Sequence, residues 1–125
     1  MEALRRPIIP GDRGPIAAKF SVDAAQRRCF LDMGVVAEYG LLSPSQARIS
    51  AASFRHGVAQ AFGALDYRAE ELEQVGFRIE PLLAAGVVQL VFPCLLMVLA
   101  ANPEVFLALA DRLEAAAILV ERPAA

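Results

Sequence analysis

The stretch LLAAGVVQLVFPCLLMVLAA, residues 82–101, carries no charge, and seventeen of its twenty residues are apolar. Gly86, Gln89 and Pro93 are the exceptions, and the nearest charges are Glu80 and Glu104. At helical rise, twenty such residues would cross a hydrocarbon core of about 30 Å. Acidic residues on both sides, no aromatic or lysine anchors and a proline near the centre argue against a span. Arg68 and Arg78 on one side are balanced by Arg112 and Arg122 on the other, so no orientation is encoded. We therefore read 82–101 as a segment buried inside a helical protein, with a single membrane span as the alternative. A helix enclosed by its neighbours is apolar on all sides, and Pro93 would divide this one.

Working outward, Asn102-Pro103-Glu104 is a helix start: a cap, a proline at the first position, an acid in the first turn. The helix it opens runs to Glu121, before Pro123, with Glu104, Asp111, Glu114 and Glu121 as a narrow polar stripe. Ser43-Pro44-Ser45-Gln46 has the form of a capping box and opens a helix to about Leu65. Its apolar set is Ile49, Ala52, Phe54, Val58, Ala61 and Phe62. Before it, spacings of three and four at Val22, Ala25, Cys29, Met33 and Val36 predict a helix over 22–39, ended by Gly40. A short helix at 67–75, ended by Gly76, presents Glu70, Glu71 and Glu73. Residues 1–20 read as an extended or turn-rich arm, because three prolines and two glycines fall among the first fifteen positions. No internal repeat, low-complexity tract or domain boundary is legible. The expectation is one all-α domain over 21–125, a small bundle of four to five helices with an extended N-terminal arm and an apolar central segment.

The chain has 125 residues, 57% apolar and 21% charged, so it can build a core and is not a disordered tail. A formal charge of −2 argues against a basic nucleic-acid coat. The eleven arginines against the single Lys19 suit a GC-rich bacterial genome. One histidine and two cysteines do not make a structural zinc site, and no cofactor motif is found. No apolar run follows Arg5 and Arg6, so no signal peptide is read and the cytoplasm is the default compartment, with the membrane as alternative. The opening Arg6-Pro7-Ile8-Ile9-Pro10-Gly11-Asp12, with Ile16-Ala17-Ala18 after it, is similar to the first strand and loop of some GNAT-type acetyltransferases. That resemblance covers about a tenth of the chain, and the family's glycine-rich pyrophosphate loop has no counterpart.

Chemistry-bearing residues are few. His56 would need Glu38 or Asp66 to orient it as a general base. Cys29 follows Arg27 and Arg28, whose charge would favour a thiolate, but it shares a helical face with Ala25, Met33 and Val36. Cys94 lies within the apolar run. Glu70 and Glu73 share a face without a second acidic helix, which reads as a solvated surface. No GxSxG, P-loop, GxGxxG, HExxH or EF-hand spacing occurs. Catalytic and metal-ligating residues are accordingly assigned to none. Helices meeting at Gly40–Ser43 would form a helix-turn-helix within 32–55, with Ser45, Arg48, Ala52 and Arg55 outward and Arg48 and Arg55 on DNA.

A chain this small has difficulty covering a wholly apolar helix with its own residues. The functional expectation is a non-enzymatic interaction protein, an oligomerising subunit, adaptor or antitoxin-like partner. It would bury Val105, Phe106, Leu109, Leu113 and Ile118 against a second chain, either a copy of itself or another protein.

Overall fold

The computed structural model describes residues 16–32, 39–91 and 98–122. It overturns the all-α bundle. Among the described residues, two three-stranded antiparallel sheets accompany two long helices. The strands are β1 (Phe20–Asp23), β2 (Arg28–Asp32), β3 (Tyr39–Leu42), β4 (Arg78–Leu82), β5 (Val87–Val91) and β6 (Val98–Ala101). The helices are α1 (Pro44–Phe62) and α2 (Pro103–Glu121), and 3-10 turns occupy Ile16–Lys19 and Ala69–Gln74. Of the expected arm, residues 1–15 lie outside the described residues.

Both helices start where their sequences place them. The Ser43 hydroxyl accepts from the Gln46 amide, and the Gln46 side chain accepts from the Ser43 amide, closing the capping box. Pro103 sits at the start of α2 behind Asn102, whose side chain makes no capping bond. Over 22–32 the expected helix is replaced by a hairpin, and the rest of it, with Met33 and Val36, lies outside the described residues up to position 38. Val22, Cys29 and Leu31 point into the core at strand spacing, and the chain turns between Asp23 and Arg28. The three-and-four spacing of apolar residues therefore coincided with two short strands and a turn. The described parts of segment 82–101, residues 82–91 and 98–101, are not helical either. They supply the end of β4, all of β5 and all of β6, whose burial alternates along each strand. Among the described residues no helix is long and apolar enough to cross a membrane.

Strand order shows what the sequence did not: the chain is a repeat. The elements β2, β3 and α1 recur as β5, β6 and α2 with every boundary moved by 59 residues, from Pro44–Phe62 to Pro103–Glu121 in the helices. Strand β1 recurs as β4 with one residue added at its start. The two halves exchange their third strands, giving sheets β1-β2-β6 and β4-β5-β3. Register is conserved as well. Cys29 faces Ala101 across β2–β6, and the equivalent Val88 faces Leu42 across β5–β3. Each hairpin alone would be a marginal two-stranded ribbon, so each half requires the other's strand.

Helices α1 and α2 run antiparallel between these sheets and make the largest contact in the molecule. At one end of it Phe20, Phe54 and Phe106 form an aromatic cluster with centroids 4.9, 5.0 and 5.4 Å apart. The run Val105–Ala110 is buried on every side because α1, strands of both sheets and turn 69–74 all pack against α2. Covering an apolar helix thus falls to β-structure of the same chain.

Candidate functional site

Charged side chains gather along the seam between α1 and α2. Arg48 and Arg55 are seven residues apart on α1, and Glu114 and Glu121 are seven apart on α2, so each pair occupies one helix face. Arg55 donates to Asp111 Oδ1 at 2.9 Å and to Glu114 Oε1 at 2.8 Å. Arg48 pairs with Glu121. Tyr67 donates its hydroxyl to the other oxygen of Asp111 at 2.8 Å, tying the segment after α1 to α2. Burial lowers the Arg55 pKa, but its bonds to Asp111 and Glu114 outweigh this and leave it raised. The hydrogen bond to Asp111, with burial, also raises the Tyr67 phenol. The acidic stripe of α2 and the arginines of α1 thus complement each other within one chain.

Ile118 lies between Glu114 and Glu121 on the same face, and Ala52 lies between Arg48 and Arg55. Ile118 is 49% exposed, as is Ile49 on the outer side of α1. Leu119 is 45% exposed beside it. The helix pair therefore presents apolar surface among ion pairs that are already satisfied.

A second charged contact closes the opposite end of α2. Arg27 donates from both terminal nitrogens to the Glu104 carboxylate, at 3.2 and 2.7 Å. Arg27 has φ of 54°, a left-handed backbone, and its equivalent in the second half is Gly86 at 68°. The hydrogen bond from Arg27 holds the Glu104 carboxyl below its usual range despite partial burial. At the equivalent place in the other half stand Gly86 and Ser45, which leaves the ion pair without a counterpart.

The residues singled out in the sequence are dispersed. Val105, Phe106, Leu109 and Leu113 are fully buried in the chain's own core, and of the five expected interface residues Ile118 alone reaches the surface. Arg48 and Arg55 are engaged with carboxylates of α2, and strand β3 occupies 39–42 where the turn of the helix-turn-helix was expected, while 33–38 lie outside the described residues. Cys29 is a free thiol with no exposure, pushed up to about 11 by burial and then by the charge of Glu104. This is the opposite of an activated nucleophile. His56 is exposed and forms no bond with Asp66. Its other proposed partner, Glu38, lies outside the described residues, as does Cys94. Glu70 and Glu73 border a shallow cleft of about 210 Å³ with Ala69, Leu72, Phe77 and Arg112, on a 3-10 turn instead of the expected α-helix. Among the described residues no group of three histidine, cysteine or acidic side chains is placed to hold a metal ion.

Ile49 belongs to the apolar set of its helix by spacing yet lies half exposed, and the Arg27–Glu104 pair has no local signature in the sequence. The spacing of 59 between Pro44 and Pro103, each behind a capping residue, was the available sign of the repeat. No protein-family model, curated protein or solved structure matches this chain.

Proposed function

We propose that the protein is a non-enzymatic interaction module that docks the outer face of its helix pair against a second protein chain. The observation that carries this reading is the half exposure of Ile49 and Ile118 on neighbouring helices whose flanking charges are already paired. Apolar surface rimmed by polar groups is the usual anatomy of a contact site. The paired charges supply orientation at the rim more than affinity. A cytoplasmic location fits this reading, since the Cys29 thiol is unpaired.

The test is sedimentation velocity of the full chain across a wide concentration range, with Ile118→Asp and Ile49→Asp alongside. Self-association that either substitution abolishes, with the circular dichroism of the fold retained, is the expected result. A monodisperse monomer at every concentration, unaltered by both substitutions, would remove the basis of the proposal.

A further inference from the structure

The surface between the two halves is itself a recognition surface, and its charges are sorted. The described part of α1 carries arginines toward the seam and no acid, whereas α2 carries Asp111, Glu114 and Glu121 there. In a repeat with matching register, two first halves or two second halves would offer each other the same strand pairings. By the offset of 59, like pairing would set Arg55 against Arg55, or Glu114 against Glu114, and would leave Arg48 opposite Phe62 and Glu121 opposite Leu107 with no opposite charge to meet. Unlike pairing alone converts these contacts into ion pairs.

One segment ties the halves together. Turn 69–74 packs on α2, Leu72 is buried, and Tyr67 bonds to Asp111, so most of the connection belongs to the second half. The free part is short. Gly63, with φ of 73° and open space around its Cα, follows α1 directly. The other contacts between the halves among the described residues, including β2–β6, β3–β5, the helix seam, Phe20–Phe106 and Arg27–Glu104, are independent of whether both belong to one polypeptide.

We propose that this seam is a charge-coded interface by which the first half accepts any second half, and that a second copy of the chain satisfies it by reciprocal exchange. A short tether gives an effective concentration on the order of millimolar, so the unmodified chain closes on itself at micromolar concentrations. Breaking the code within each chain while preserving it between chains reverses that preference.

The experiment uses two full-length variants, Arg48→Glu/Arg55→Glu and Glu114→Arg/Glu121→Arg. Asp111 is kept for Tyr67. Alone, each variant faces like charge with like at 48–121 and 55–114 in either arrangement, although Arg55 keeps Asp111 in the second variant. Mixed, unfolded in denaturant and refolded together, they form a dimer in which the two substituted halves meet as opposite charges at 48–121 and 55–114, with Asp111 as the one like charge beside position 55, and the two unsubstituted halves meet each other. Exposed pairs and like-charge contacts of this kind change the exchange constant by roughly a thousandfold across two seams, enough to move it from millimolar to micromolar. A 1:1 heterodimer by native mass spectrometry, absent from either variant alone, is the expected result. Only separate species after mixing would overturn the proposal, whether those species are folded or not. A chain carrying all four substitutions is the control and folds as a monomer, and its failure to fold would refute the charge code. Adding Ile49→Asp and Ile118→Asp to both partners leaves exchange intact while removing association through the outer face, which keeps the two proposals separable.

Discussion

Gly57 is a direct test of the repeat at the level of packing. A Cβ at this position would lie 2.8 Å from Phe20 Cε2, closer than side-chain carbons approach one another. The Phe20 ring has little freedom to withdraw, because it packs edge-on against Phe54 at 4.9 Å and tilted against Phe106 at 5.0 Å. Gly57→Ala gains about 1 kcal/mol of helix propensity. It also overpacks a core contact, which costs ~1–3 kcal/mol. We expect a net loss of about 1 kcal/mol, from the middle of those ranges. The second half shows a solution to the same problem, with Ala116 and Ile79 at the two equivalent positions. Phe20→Ile alone should lower stability by ~1–2 kcal/mol through lost volume and aromatic contact. Combined with Gly57→Ala it should be more stable than Phe20→Ile alone, because the clash is gone and the propensity gain remains. Urea titrations of the four proteins close the cycle, with an expected coupling of about 2 kcal/mol. Gly57→Ala stabilising by its full propensity, with coupling inside ~0.5 kcal/mol, would refute the steric argument.

Three further outcomes follow from single sites. Cys29→Val copies its equivalent, Val88, and should change stability by less than ~1.5 kcal/mol, as volume-conserving core exchanges do. Because the folded thiol is held at about 11, the stabilisation it brings is full below the unfolded value and is lost as pH rises through that range. Denaturant titrations from pH 8 to 11 should show a shallower alkaline decline in the valine variant. Ser50 has its hydroxyl buried without a partner, so Ser50→Ala should raise stability by ~1 kcal/mol, and a lower urea midpoint would contradict this. Arg27→Ala keeps the left-handed backbone and loses the ion pair, whereas Arg27→Gly loses the pair but relieves the backbone, so the glycine variant should be the more stable by thermal melts. Since Arg27 lowers the Glu104 carboxyl, the pair stabilises above the unfolded carboxyl pKa and fades as pH falls through the folded one. Both variants should therefore lose less stability on acidification than the unmodified chain.

The parts of this fold that could be read from sequence are those whose causes are local. The capping box at Ser43 and the proline at 103 fix where α1 and α2 begin, and both helices extend close to their expected ends. The parts misread depend on distant partners. A four-residue strand such as Phe20–Asp23 holds too few residues for alternation to outweigh a helical spacing that continues into Met33 and Val36. Likewise, continuous apolarity in 82–101 fits a buried helix or successive strands equally well, and the choice rests on β2 and β3, more than forty residues upstream. The site follows the same division. Stripe spacing places Glu114 and Glu121 on one face of α2, and Arg48 and Arg55 on one face of α1, from sequence alone. Antiparallel packing of the two helices is a tertiary fact, and it turns a suspected DNA-reading face into a set of internal ion pairs. It also moves Val105, Phe106, Leu109 and Leu113 from an expected interface into the core, because the two sheets meet the burial demand that had seemed to require another molecule. Apolar excess in a short chain therefore measures how much must be covered. In a duplicated fold with exchanged strands, the second half of the same chain does most of that covering. Ile49, Ile118 and Leu119 are the large apolar side chains it leaves exposed on the helix pair, which is why a search for a partner begins there.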